Sequence, residues 1–222
     1  MRTALLLGAS GLIGGHCLDL LLRDEAYDQV IVLVRKRLPK NHPKLTQHEV
    51  NFDGLSEHAN VLKADDVFCC LGTTIKKAGS QEAFRKVDFT YAHEAAKLAA
   101  NNGAKQFLLV SSLGADVKSS VFYSRVKGEI EAAVSGLNFA SVSIFRPSLL
   151  LGERAEFRLA ERLAEPFAKA LSFFLIGGLR KYRAIEARTV AAAMIEIAKA
   201  EIEGVNVYES DRIQAIGIKL LR

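Results

Sequence analysis

The sequence predicts an α/β protein: one domain over residues 1–222, built on a doubly wound parallel sheet. Three observations carry that expectation. Short runs rich in Leu, Val and Ile alternate with longer segments of helical periodicity along the chain. Those runs are almost continuously apolar, as strands covered on both faces are. The first of them ends in a glycine-rich turn that opens directly into a helical pattern, TALLLGASGLIGG. Right-handed crossovers between such strands favour the doubly wound arrangement.

In chain order, strands are expected at 3–7, 30–34, 46–50, 66–71, 106–111, 140–145 and 205–208. Helices are expected at 12–23, 56–62, 81–101, 121–135, 156–174, 189–200 and 210–216. The least regular part, 35–48, is a basic turn after the second strand with no domain boundary in it. No repeat, low-complexity stretch or linker divides the chain.

Composition narrows the class. Half of the residues are hydrophobic and a quarter charged, an ordinary globular profile, and a net charge of +5 calls for no nucleic-acid partner. Cys17, Cys69 and Cys70 form no CxxC pair, which points to a reducing compartment without disulfides or zinc. The five histidines (His16, His42, His48, His58, His93) lack ligand spacing, and no metal is expected. The apolar run 166–179 contains Lys169 and is too short for a bilayer. The opening apolar run is broken by glycines and leads into an amphipathic helix, so no signal peptide is expected and the location expected is cytoplasmic.

Gly8, Gly11 and Gly14 stand where the chain turns from strand to helix. At such a turn the first glycine allows unusual backbone angles, the second lets a pyrophosphate approach the main chain, and the third lets helix and strand pack closely. The helix N-terminus then offers N–H groups and partial positive charge to the phosphates. The spacing is GxxGxxG rather than GxGxxG, which marks a particular branch of dinucleotide-binding proteins.

The second strand runs into Arg35, Lys36 and Arg37 with no carboxylate. An acidic residue there would serve the ribose hydroxyls of NAD, whereas Arg35 suits the 2′-phosphate of NADP. A solvated basic loop is the alternative reading, with nucleic-acid contact a weaker third. Asp53, soon after the third strand, is placed to accept from an adenine amino group or to serve the NFDG turn. Gly72 would let backbone pass near the cofactor, and Thr73 would bond to it.

Twelve residues after Ser111 lies YSRVK, which puts Tyr123 and Lys127 one helical turn apart on one face. A phenol with a pKa of about 10 is a poor base at neutral pH, and a neighbouring ammonium favours its phenolate. A nearby serine hydroxyl would orient a carbonyl. The order of glycine turn, serine pair, then Tyr/Lys helix carries more weight than any one motif.

GxxGxxG with a later Ser and YxxxK resembles the short-chain dehydrogenase/reductase superfamily in its atypical branch. More closely, CCLGTTIKKAG, FRKVDFTYAHEAAKLA, SSLGADVKSSVFYSRVKGEIE and SIFRPSLLLGER resemble the Tat-interacting oxidoreductase family and its bacterial relatives, over most of the chain. The resemblance implies an NADP(H)-binding Rossmann-like fold. It implies Gly8, Ser10, Gly11, Leu12 and Ile13 around the pyrophosphate, Arg35 at the 2′-phosphate, and Leu71, Gly72 and Thr73 along the adenosine and ribose. It implies Ser112 (Ser111 as second choice), Tyr123 and Lys127 as the catalytic set, with Lys127 also on the nicotinamide ribose and Pro147 and Leu149 flanking the nicotinamide. Two features depart from the family pattern. Asp88 stands where many extended members have asparagine, and the interval from Ser112 to Tyr123 is short.

The segment 150–185 should fold over the carboxyl edge of the sheet as a substrate-side helical segment. Its stretch 167–179, with Phe173, Phe174 and Ile176, would line an apolar pocket, pack on its own domain, or touch a membrane surface through Arg180, Lys181 and Arg183. The function expected is an NADP(H)-dependent oxidoreductase acting on a small apolar carbonyl or alcohol. The alternative is an NADPH-sensing binding protein with little turnover. A monomer or a homodimer is expected, helices 81–101 and 121–135 being the faces many superfamily dimers use.

Overall fold

All seven expected strands form, the polar edge strand at Leu45–Glu49 included, and they lie parallel in one sheet. The computed structural model describes residues 2–151 and 177–221. The strands are β1 (Arg2–Leu7), β2 (Tyr27–Val34), β3 (Leu45–Glu49), β4 (Asp66–Cys69), β5 (Gln106–Val110), β6 (Ser141–Arg146) and β9 (Gly204–Glu209), in the order β3-β2-β1-β4-β5-β6-β9. A separate two-residue pair joins β7 (Leu150–Leu151) to β8 (Ile185–Glu186). The chain winds outward from β1 to β3, returns to the other side of β1 at β4, and winds the opposite way. The strand order reverses between β1 and β4, where ligands of open α/β sheets bind. This is a single-domain Rossmann-like fold.

The unbroken apolar runs have a simple cause. Along β1, Ala4 and Leu6 face one core and Leu5 and Leu7 the other, and all four are fully buried. The first core is closed by α1 (Leu12–Arg23), α6 (Ala187–Ala200) and α7 (Ser210–Leu220). The second is closed by α4 (Ala92–Asn101) and α5 (Phe122–Ser135). Each fully buried Leu contributes about 2 kcal/mol of transfer free energy.

Some expected elements differ. The helix expected at 56–62 is a 3-10 segment, Phe52–Val61, with non-helical backbone at Gly54 and His58. Asn51 caps it by accepting from the Asp53 N–H, and short polar residues follow that compete for backbone bonds. The helix expected over 81–101 is α3 (Gln81–Arg85), a π turn at Lys86–Tyr91, then α4. Thr74 and Gly79 bound a four-residue helix, α2 (Ile75–Ala78), that is too short to read from periodicity. The helix expected at 210–216 continues to Leu220.

Strand β2 begins at Tyr27, three residues before its apolar run, because the Tyr27 ring is fully buried and its hydroxyl donates to Asp66 Oδ2 at 2.8 Å. Arg2 Nη2 reaches the same oxygen at 2.6 Å, and Gln106 Nε2 donates to Asp66 Oδ1 at 2.9 Å. One polar network thereby ties the amino-terminal ends of β1, β2, β4 and β5, at the edge opposite the crevice. Burial, then the Asp66 charge, pushes the Tyr27 phenol up, so it remains a donor. Tyr27→Phe is expected to cost about 1.5–3 kcal/mol in urea unfolding, the worth of a bond to a charged group, with no effect at the opposite edge.

Candidate active site

Gly8 follows β1 with φ +82, and a Cβ there would lie 2.5 Å from the Cys70 carbonyl oxygen, where the chain leaves β4. A Cβ on Gly14, in the first turn of α1, would lie 2.1 Å from the Gly8 carbonyl oxygen. The bare residues therefore bring the ends of β1 and β4 and the start of α1 into backbone contact. The Gly11 N–H donates to Gly8 O at 2.9 Å and closes the turn. Gly11 is also the N-cap of α1, and no side chain among the described residues caps the helix's first amides. Leu12 and Ile13 supply those amides, with Ser10 exposed beside them. A tight turn, an uncapped helix N-terminus and space only glycine leaves together fit a diphosphate.

At the end of β2, Arg35, Lys36 and Arg37 are all exposed, and none pairs with a carboxylate among the described residues. Just after β3, Asp53 Oδ1 receives the Lys86 ammonium at 2.7 Å and the Tyr91 hydroxyl at 2.8 Å. Lys86, then Tyr91, holds the Asp53 carboxyl below its usual range. Its carboxylate is thus already engaged on one oxygen. Beyond β4, Leu71 and Thr73 are half-buried around exposed Gly72, and the Thr73 N–H donates to Asp88 Oδ2 at 2.9 Å.

The serines leave β5 on a backbone fixed by the neighbouring strand: Ser111 N–H donates to Phe145 O at 2.7 Å and Leu113 N–H to Pro147 O at 2.9 Å. The side-chain oxygens of Ser111 and Ser112 are buried, and neither has a hydrogen-bond partner among the described residues. A hydroxyl left so costs about 1–3 kcal/mol, a penalty usually tolerated where a ligand completes the bond.

Helix α5 brings Tyr123 and Lys127 to the serine loop. A Cβ on Gly128 would lie 2.3 Å from Val117 N, so the loop backbone rests on the helix beside Lys127, and Asp116 N–H donates to Ser124 O at 3.1 Å. The Tyr123 ring sits 5.4 Å from that of fully buried Phe84. Lys127 is buried, with Nζ 2.8 Å from Asp88 Oδ1, an ion pair rather than a well-angled hydrogen bond. Burial pulls the Lys127 ammonium down, but Asp88 and then Tyr123 outweigh it, and the net direction is up.

Gly72, Thr73, Ser111, Ser112, Tyr123 and Lys127 thus belong to one connected region at the ends of β4 and β5, next to the glycine turn. Arg35 and Asp53 lie on the other half of the sheet, beyond β2 and β3. After β6, Pro147 is buried while Leu149 is 67% exposed. The expected helix 156–174 and the residues Phe173, Phe174 and Ile176 fall outside the described residues, and Leu179 is 51% exposed. Asp88 and Gly128 were not in the expected set. The one signal for Asp88 was its departure from an expected asparagine.

A family model described as NAD(P)H-binding matches residues 8–138, more than half of the chain. The chain is 39% identical over 198 residues to Protein HTATIP2 of Rattus norvegicus, covering 87% of this chain and 80% of that protein. It is 32% identical over 218 residues to "Protein FMP52, mitochondrial" of Candida albicans, covering 96% and 93%. Among solved structures it resembles MoeE5 in complex with UDP-glucuronic acid and NAD (TM-score 0.70, 16% identity, 98% of this chain and 82% of that one). It also resembles the Bordetella bronchiseptica enzyme WbmH in complex with NAD+ (TM-score 0.68, 17% identity, 95% and 76%). At such identities these two speak for the fold alone. No helix among the described residues is long and apolar enough to cross a membrane.

Proposed function

From the premise that the chain belongs to the NAD(P)H-binding family and is a homologue of HTATIP2 and FMP52, we propose that it is an NADP(H)-dependent oxidoreductase. Its substrate is a small, fairly apolar carbonyl or alcohol. The observation that carries this reading is the pair of buried serine hydroxyls, without a partner among the described residues, on a loop packed against the Tyr123/Lys127 helix beside the glycine-lined crevice. When bound, the dinucleotide would supply the hydride for a carbonyl carbon. The Ser112 hydroxyl, or Ser111 in its place, donates to the carbonyl oxygen and orients it. Tyr123 gives that oxygen its proton, and Lys127 holds positive charge beside the phenol. Gly8, Ser10, Gly11, Leu12 and Ile13 hold the diphosphate, Leu71 to Thr73 and Asp53 the adenosine side, and Pro147 and Leu149 the nicotinamide. We place the protein in the cytoplasm as a monomer or homodimer; the mitochondrial label belongs to its fungal relatives.

Reduced-dinucleotide oxidation against a panel of aldehydes and ketones tests the reading. NADPH binding without turnover across the panel would shift the case to a cofactor-sensing protein, and no binding at all would remove both. The cofactor choice rests on three exposed cations at the end of β2 that pair with no carboxylate among the described residues. Arg35→Ala is expected to weaken NADPH about 10- to 100-fold and NADH less than about 2-fold, the worth of one charge-assisted phosphate contact. Equal losses in calorimetry would mean that Arg35 does not touch the extra phosphate.

A further inference from the structure

We propose that Asp88 is a positioning residue: its carboxylate keeps Lys127 an ammonium and pins it at the β4 edge, so that the charge of the site stays constant through the neutral pH range. The proposal rests on the reading of Lys127 as part of the dinucleotide and active site.

Three elements hold the pair. Asp88 sits in the π turn Lys86–Tyr91, and such turns often re-aim side chains at functional sites. Its Oδ2 is fixed by the Thr73 N–H from the β4 loop, leaving Oδ1 for Lys127 on α5. The β4 loop runs beside the pair at Gly72, where a Cβ would stand in ordinary contact, 3.4 Å from Asp88 Oδ1 and 3.8 Å from Lys127 Nζ. The two side chains are 1% and 6% exposed, so water cannot substitute for either partner.

A buried ammonium without a counter-charge gives up its proton, because desolvation penalises the charged form. The titratable groups acting on Lys127 are Asp88 from the π turn, Tyr123 from its own helix and Cys69 from β4. Burial pushes the Cys69 thiol up to about 12, so it is neutral at working pH. Asp88 is the carboxylate among them. With it, Lys127 remains charged below its ordinary value of 10.5 and loses its proton only above it. Without it, desolvation, the largest single influence on Lys127, loses its main opponent and pulls the ammonium down.

The test is a pH titration of the Lys127 side chain by NMR in protein carrying 13C-labelled lysine, with Lys127→Arg removing and so assigning its resonance. In the wild type, Lys127 is expected to titrate after the bulk of the lysine resonances. In Asp88→Asn it should titrate at least about two pH units earlier than in the wild type. An unchanged Lys127 titration in Asp88→Asn overturns the proposal. So does a wild-type Lys127 resonance that moves before the bulk, a measurement that requires no variant to fold. NADPH affinity measured on the same samples separates the two claims: absent binding sinks the proposed function, while the titration still judges Asp88.

Discussion

Tyr123→Phe is expected to lower turnover about 10²- to 10⁴-fold while leaving the NADPH dissociation constant within about twofold of wild type. The substitution removes one oxygen and keeps the ring that packs on Phe84 at 5.4 Å, so neither α5 nor the serine loop has cause to move. Tyr123 is only half-buried, and its unfolding free energy should change by less than about 0.5 kcal/mol. An effect confined to turnover would identify the hydroxyl as the proton donor. Equal activity in the two proteins would remove Tyr123 from the chemistry and pass the role to another group at the ends of β4 and β5.

The second large effect is expected from Gly8→Ala. Two penalties coincide there: an L-residue at φ +82 is strained, and its Cβ would stand 2.5 Å from the Cys70 carbonyl oxygen. The backbone beyond β4 must shift, and it carries Leu71, Gly72 and Thr73. We expect a loss of about 2–4 kcal/mol in unfolding and at least about 100-fold in dinucleotide affinity by calorimetry. Gly103→Ala is the control, because its φ of +85 is as strained but a Cβ there meets nothing within 4 Å. It should lose about 1–2 kcal/mol of stability and no affinity. Matching losses of affinity in both variants would show that the turn at Gly8 does not hold the ligand.

Much of this architecture could be read along the chain, for a physical reason. Strand interiors covered on both faces are apolar on successive residues, so the inner stretches of β1, β4 and β5 announce themselves without alternation, whereas β6 buries Ser141 and Ser143 between its apolar residues. Helix α1 was legible to the residue, because the glycine turn opens it and the apolar pattern ends at Arg23. The π turn was not, since Lys86–Tyr91 keeps an apolar spacing that an α-helix would also satisfy. The 3-10 character of Phe52–Val61 depends on Gly54 and the Asn51 cap more than on any periodicity. Tyr123 and Lys127 could be paired from their spacing, but the ion pair of Lys127 with Asp88 joins two distant segments. That the oxygens of Ser111 and Ser112 find no partner among the described residues is likewise a matter of what surrounds them, which no linear pattern records.

Because every strand in the main sheet is parallel, no two neighbours can be joined by a tight hairpin. Ala4 pairs with Asp66, and Ser141 with Gly204, so each half of the sheet waits for a partner made much later. As the chain leaves the ribosome, β1 to β3 present one bare edge until β4 arrives, and β6 stays open until β9 is made. Closing such long loops precedes any gain from pairing, so acquisition of the native state should be slow for a protein of this size, with its greatest exposure to misassociation just before β9 docks.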